Sequence, residues 1–270
     1  MEKLAPQILI ALDDNHYRNH NWMEESPAEV LVHSAEIPHG YVVPLHSHRR
    51  TQILCVFRGV VLVATALGRW MIPPGHALLI PSGLEHSVEM FSDVSMRSLY
   101  VLPRHGKTAT RMLSVLEVTD LARSLLLEAL ILRDQPERRS KAELVMALLL
   151  EEIETLPERA LGLPFPTHAR LAELCRDYVI HPAPDARIDD WAARLAMSRR
   201  TFTRLFREQT GISFATWRQQ ACVFACLPKL ADGQPITRLA LEAGYESVPA
   251  FTTMFKRMLG TSPRSYFLRQ

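Results

Sequence analysis

Two groups of residues in this sequence can do chemistry. The first is built on histidine. His46 and His48 stand one residue apart, Gln52 follows, and His86 comes after the turn Pro81-Ser-Gly83. Residues i and i+2 of a strand face the same side, so His46 and His48 are expected to project together. A neutral imidazole is a ligand for Zn, Fe, Ni or Cu. It is equally a hydrogen-bonding group for a small molecule, or a satisfied polar fitting of an interior. The second group is cationic. Arg199, Arg200, Thr203, Arg204 and Arg207 fall in the single run Ser-Arg-Arg-Thr-Phe-Thr-Arg-Leu-Phe-Arg, beginning at Ser198. Arginine can pair bidentately with guanine O6 and N7, and threonine can meet a thymine methyl group. Cationic side chains also hold phosphates, which position a protein on DNA without specifying sequence.

The cationic run belongs to a repeated grammar. Ile188, Trp191, Ala192 and Leu195 have helical spacing, and so do Ile236, Leu239, Ala240 and Ala243. Each set is followed by a short turn with a serine, Ser198 or Ser247, and then by a second apolar-periodic segment. Serine there can cap the second helix by accepting from an orphan amide. Pro249 falls in a first turn, where its missing N–H costs little. Phe202, Leu205 and Phe206 share a face, as do Phe251, Met254 and Phe255, leaving the opposite face for the DNA major groove. Both repeats close on glycine and a small polar residue, Gly211-Ile-Ser213 and Gly260-Thr-Ser262.

This duplicated helix-turn-helix, with Ala-Gly-Tyr245 and the ending Gly260-Thr-Ser-Pro-Arg-Ser-Tyr266, resembles the DNA-binding domain of AraC/XylS-type transcription regulators. The resemblance covers residues 167–270, with units at about 188–209 and 236–259. It implies base contacts from Arg200, Thr203 and Arg204, although Arg204 can instead pair with Glu208 one turn on. Arg199 and Arg207 are read as phosphate partners. In the second unit the groove-facing positions are Val248, Pro249, Ala250 and Thr253, with Lys256 near phosphate. None of these can make a bidentate base contact, so most discrimination is expected in the first unit. A linker helix over about residues 214–231 is expected to span about 27 Å. Pro228 lies inside it and is expected to end the helix near Leu227 or to kink it there.

Between Ala28 and Leu102 the pattern is that of strands. Short apolar runs such as Ile53–Phe57, Val60–Val63, Ala77–Ile80 and Met96–Leu102 alternate with turns at Gly40, Gly59, Gly75 and Gly83. Many short strands at close spacing indicate a small barrel or sandwich. The spacing of Gly40, His46, His48, Gln52 and Gly59, then Gly75, Pro81, Gly83, His86 and Met90, resembles the paired motifs of the cupin barrel. That resemblance implies that His46, His48 and His86 line the barrel mouth, where a divalent transition metal can bind. Gln52 replaces the family's glutamate and Met90 its asparagine, so no carboxylate general base is supplied. In AraC-type regulators such a domain commonly senses a small-molecule effector.

The remaining segments complete the organisation. Residues 1–27 read as a surface arm or loop, and its His16 and His20 as solvated polar residues. Residues 28–105 read as the effector-binding barrel. Residues 110–157 read as two amphipathic helices, the first running through Met112, Leu116, Leu121 and Leu125, the second opened by a capping box of Ser140 and Glu143. By resemblance these helices dimerise the chain. Residues 158–166, with Pro164 and Pro166, read as the interdomain linker. The expected fold class is multidomain α+β.

Composition agrees with a DNA-binding half. Of 270 residues, those from Pro166 onward carry 15 Lys and Arg against 9 Asp and Glu, a net +6 inside a chain of +2. A basic face suits a phosphate-contacting module. No apolar run is long enough for a membrane span, the N-terminus lacks a basic leader, and four Cys lack framework spacing. Cys222 and Cys226 read as small buried hydrophobes. The whole reads as a cytoplasmic, homodimeric regulator that binds promoter DNA under the control of a small-molecule effector and does not turn over substrate. The barrel motifs with Met96–Pro103 also look like regulators of a neighbouring transporter gene. A metal-dependent cupin enzyme fused to a DNA anchor is the chief alternative; an architectural DNA binder with a vestigial barrel is the third.

Overall fold

The computed structural model describes residues 4–103, 112–159, 163–183, 186–231 and 233–268. The chain divides into two compact units, residues 1–66 with 72–160 and residues 67–71 with 161–270.

The first unit opens with helix α1 (Pro6–Glu25), started by Pro6 at a position where no amide partner is lost. Strands β1 (Val30–Ile37), β2 (Val42–His46), β3 (Thr51–Arg58), β4 (Val61–Thr65), β5 (Gly68–Ile72), β6 (His76–Ile80), β7 (His86–Met90), β8 (Val94–Val101) and β9 (Ser114–Glu117) follow. After helices α2 (Asp120–Leu132) and α3 (Arg139–Thr155) comes the short β10 (Glu158–Arg159). The strands form two sheets, in the orders β1-β8-β3-β6-β9-β10 and β2-β7-β4-β5. Residues of β3 are buried on both faces. Ile53, Cys55 and Phe57 pack with Ala122, Leu126 and Ala129 of α2 and with Leu149 and Ile153 of α3. Gln52 and Leu54 alternate onto the opposite face, which lines a cavity. Gly59 turns β3 into β4 with φ +82°, and a Cβ there would fall 2.3 Å from the Asp93 carbonyl oxygen, so only glycine fits.

Several expectations are corrected here. Residues 6–25 are a helix rather than an arm or loop, and only its start is legible in the sequence, through Pro6. The first middle helix begins at Asp120, capped by the Thr119 hydroxyl, which accepts from the Ala122 amide. Residues 114–117, expected within that helix, are a strand paired with β6. Val115 and Leu116 satisfy either period, and the sheet edge decides between them. The expected start near Thr110 lies outside the described residues. Ser140 is not a cap: α3 starts at Arg139 after a tight turn at Pro136–Arg138, and Glu143 pairs with Arg139 at 2.9 Å. The boundary between the two units falls within the expected linker, residues 158–166, and the described residues on either side of it are structured. Glu158 and Arg159 pair with Leu116 and Val115, while Leu163 and Phe165 are buried.

The second unit is helical: α4 (Ala169–Ile180), α5 (Ile188–Arg194), α6 (Arg199–Thr210), α7 (Phe214–Ala231), α8 (Ile236–Glu242), α9 (Val248–Leu259) and α10 (Pro263–Leu268). The two helix-turn-helix repeats match in detail. Ser198 accepts from Thr201 N–H at the start of α6, and Ser247 from Ala250 N–H at the start of α9. Both helices end on glycine in the left-handed region, Gly211 at φ 74° and Gly260 at φ 71°. The preceding turns also match: Met197 N–H donates to Ala192, and Tyr245 N–H to Ala240. The left-handed residue of that turn is Gly244 in one repeat and Ala196, at φ 55°, in the other. An aromatic core of Trp191, Phe202, Phe206, Phe214 and Trp217 fixes the first repeat, with ring centroids 4.8–6.4 Å apart. Helix α7 runs through Pro228 to Ala231, so it does not end at Leu227. Cys222 and Cys226 are buried, and burial pushes both thiols up, as expected for inert small hydrophobes.

Candidate ligand pocket and nucleic-acid interface

Sheet register brings the first histidines together. His46 at the end of β2 lies directly opposite His86 at the start of β7. A register irregularity between Val43 and His46, where Pro44 interrupts the ladder, sets His46 in this pairing. Their ring centroids are 4.3 Å apart. His48 is not in the strand, as the alternation argument expected, but in the connection to β3. It still reaches the cluster, 5.1 Å from His86 and 6.0 Å from His46. One ring nitrogen from each of the three lies within 4.8 Å of the others.

The backbone sets how the rings are turned. His46 Nδ1 lies 2.8 Å from the Pro44 carbonyl, His48 Nδ1 2.6 Å from Arg50, and His86 Nδ1 2.9 Å from Leu84. A carbonyl can only accept, so each Nδ1 carries the proton and each neutral ring keeps its lone pair on Nε2. His86 Nε2 is buried without any partner among the described residues. Burial, and then the His86 ring, hold His46 down to about 3. Burial, with smaller contributions from His48, His16 and His20, holds His86 down to about 4. His48 is lowered by burial against the raising effect of Gln52. All three rings are therefore neutral near pH 7.

Gln52 stands where the cupin pattern has a carboxylate, and it is fully engaged. One end of its amide is 3.0 Å from both Ser98 Oγ and Tyr100 Oη, and the other 3.1 Å from His48 Nε2. Gln52 and Tyr100 are paired residues of β3 and β8. Gln52 therefore positions His48 and offers no general base.

Sequence reasoning missed two partners. The cavity of about 180 Å³ at this cluster is lined by α1 as well as by the sheets, through Leu12, His16, Asn19 and Met23. The His16 ring lies 4.8 Å from His46, and the His20 ring 5.9 Å. The signal available was the pair His16 and His20, one helical turn apart. Arg50 was also missed. It is completely buried, and its guanidinium donates to the carbonyls of Met23, Ser26 and Glu29. These bonds fix the C-terminal end of α1 against the loop that carries His48.

In the second unit α6 turns Phe202 and Phe206 inward, while Arg199, Arg200, Thr203, Arg204 and Arg207 are all exposed. Arg204 does approach Glu208, at 3.7 Å, and Arg199 approaches Asp189 at 3.5 Å. Exposed pairs at such lengths are worth well under about 1 kcal/mol, so DNA can displace them. Thr203 donates to the Arg199 carbonyl, which leaves its methyl group for a base edge. On α9, Pro249, Ala250, Thr253 and Lys256 are exposed and Val248 is half-buried.

A sensor-like β domain with a cavity, followed by a duplicated helix-turn-helix, defines a ligand-binding transcription regulator. The sequence matches the AraC-like ligand binding domain over residues 30–153 and a helix-turn-helix domain over residues 191–269. It is 30% identical over 226 residues to the HTH-type transcriptional regulator NimR of Escherichia coli, covering 84% of this chain and 82% of that one. The chain belongs to the AraC-type family of DNA-binding transcription regulators. It is also 29% identical over 126 residues to the arabinose operon regulatory protein of Escherichia coli, covering 46% of this chain and 42% of that one. Among solved structures, fatty-acid-bound ToxT of Vibrio cholerae aligns over 92% of this chain and 98% of its own, at 15% identity and a TM-score of 0.37. None of the described helices is long and apolar enough to cross a membrane.

Proposed function

We propose that this regulator responds to a small molecule held in the cavity beneath α1, and that α6 supplies most of its sequence reading. The observation that carries the reading is the cavity itself: a chamber walled by apolar residues such as Leu12, Val43, Leu54, Val88 and Met96 that meets the neutral imidazoles of His46 and His86, with His86 Nε2 buried and unpartnered among the described residues. Small-ligand sites combine an apolar lining with a few convergent polar groups in this way. Arg200, Thr203 and Arg204 meet base edges, Arg199, Arg207 and Lys256 meet phosphates, and Val248, Pro249, Ala250 and Thr253 make van der Waals contacts. Turnover is absent from this reading, because Gln52 is committed to Ser98, Tyr100 and His48. The protein acts in the cytoplasm as a homodimer. Helices α2 and α3 bury one face on the sheet yet expose Leu121, Leu127, Ile131, Leu144 and Leu148, which a second copy would cover.

The test is a thermal-shift screen of small organic acids, sugars and metal salts, followed by operator binding with each hit. A hit that raises the melting temperature and changes operator affinity supports effector control. If every stabilising compound leaves operator affinity unchanged, the reading is overturned and the chain is an architectural binder.

The unpartnered His86 Nε2 favours a second reading of the same histidines, as a site for a divalent transition metal. Metal-ligating histidines typically donate their other N–H to a backbone carbonyl, as His46, His48 and His86 do. Three imidazoles without thiolate or carboxylate suit Zn, Ni, Cu or Fe.

A further inference from the structure

Helix α1 brings two more imidazoles to this cluster. His16 lines the cavity, and His20 lies one turn on along α1, its ring centroid 6.2 Å from that of His16. His20 is already tied to the barrel, its Nε2 2.9 Å from the Ser47 carbonyl. His16 has no such tie among the bonds to the described residues, and its ring stands edge-on to His46 at 4.8 Å. Three histidine ligands would leave a four-coordinate metal needing one more donor, and His16 is the α1 imidazole nearest His46. We propose that His16 supplies that donor, so that a divalent transition metal on His46, His48 and His86 also clamps α1 over the cavity. The proposal rests on the metal reading given above and adds a ligand from a different element.

Three features of α1 fit a clamp that metal completes. Its C-terminal end is fixed by Arg50, while toward its middle the side-chain bonds are those of Asp13 to Tyr41 Oη, at 2.8 Å, and of His20 to the Ser47 carbonyl. Its outer face exposes Ile8, Ile10 and Tyr17, and of its residues Met23 alone is fully buried. A helix held by so little apolar burial has a low local opening energy. Coordination by His16 would therefore change α1 far more than it changes the sheets. Metal bound more tightly when α1 is closed stabilises the closed state by its differential affinity.

The experiment uses the full chain, stripped with chelator, and titrates Zn(II) and Co(II) separately into wild type, His16→Ala and His46→Ala. Hydrogen exchange of residues 6–25 is recorded with and without metal. We expect wild type to bind about one metal per chain, to show the intense visible absorption of four-coordinate Co(II), and to gain protection in α1. His16→Ala should still bind but with affinity lower by about tenfold or more, a loss of the size seen when a metal site is disturbed. Its Co(II) absorption should weaken as water enters, and α1 should gain no protection. If His16→Ala matches wild type in affinity, spectrum and exchange, the clamp is wrong while the three-histidine site stands. If wild type binds neither metal, both fail. Should His46→Ala not fold, His46→Asn replaces it, and thermal unfolding of every variant checks folding.

Discussion

The Gln52 amide, which lines the cavity, meets the His48 ring at 3.1 Å. With the amide oxygen toward Nε2 and the Arg50 carbonyl 2.6 Å from Nδ1, both ring nitrogens face acceptors. A neutral imidazole has one N–H and cannot satisfy both. Turning the amide end for end resolves this: its NH2 donates to Nε2, a bond His48 must give up before it can ligate a metal, and its oxygen receives the Ser98 and Tyr100 hydroxyls. Gln52→Glu removes that donor and adds a negative charge. His48 should then titrate higher, and metal affinity should rise on the order of tenfold. Long-range proton–nitrogen correlation of the His48 ring and calorimetric metal titration check both; an unmoved His48 pKa refutes the first.

The buried histidines give the metal-free protein a defined pH dependence. Unfolded, His46 and His86 titrate near 6.5, whereas folded they are held down to about 3 and about 4. Below pH 6.5 the unfolded chain takes up protons that the folded chain refuses. Stability is therefore complete above about pH 6.5 and falls steadily as pH drops, the His86 loss ending near 4 and the His46 loss near 3. Urea unfolding at pH 7.5 and pH 5 should show the lower stability at pH 5. Equal stability at the two values would show that the cluster is open to water.

Discrimination by the two DNA-reading helices should be unequal. Arg200→Ala or Arg204→Ala should cost about 1–3 kcal/mol of preference for the cognate half-site. Thr253→Ala should stay within about 0.5 kcal/mol. Fluorescence anisotropy against operators carrying single base changes measures this. Equal losses at both half-sites would contradict the assignment.

Ala196 is a non-glycine residue in the left-handed region, at the place where the second repeat has Gly244. The conformation costs about 1–2 kcal/mol for a residue with a Cβ, partly offset by the greater freedom of unfolded glycine. Ala196→Gly should raise the stability of the second unit by about 0.5–1 kcal/mol. Differential scanning calorimetry reads the shift, and a lower melting temperature would refute it.

The exposed leucines of α3 should govern association. Leu144 is 72% and Leu148 49% exposed, so replacing both by Glu removes no core contact. Sedimentation should report a dimer for wild type and a monomer for the double variant at about the same melting temperature. A wild-type monomer at micromolar concentration would discard the homodimer.

Much of the second unit was legible because its signals are local. A serine cap, a helical period of Phe202 and Phe206, and a closing Gly211 are each decided within a few residues by backbone geometry. The same locality let the repeat be seen twice. Local signals failed where long-range pairing decides. Val115 and Leu116 became a strand because β6 offers an edge, and Pro228 stayed inside α7 although its local effect favours a break.

The sequence by itself determined the histidine spacing, the substitution of the expected carboxylate by Gln52, and the cationic face of α6. It did not determine that His46 and His86 oppose each other, because register depends on an irregularity beside Pro44. Nor did it place His16 on the cavity, with His20 beside it. Helix α1 has only one fully buried residue, so its apolar pattern is faint, and it is held in place by buried Arg50 and by Tyr41 from distant strands and loops. Only the tertiary structure brings those contacts together, because each joins residues that the chain keeps far apart.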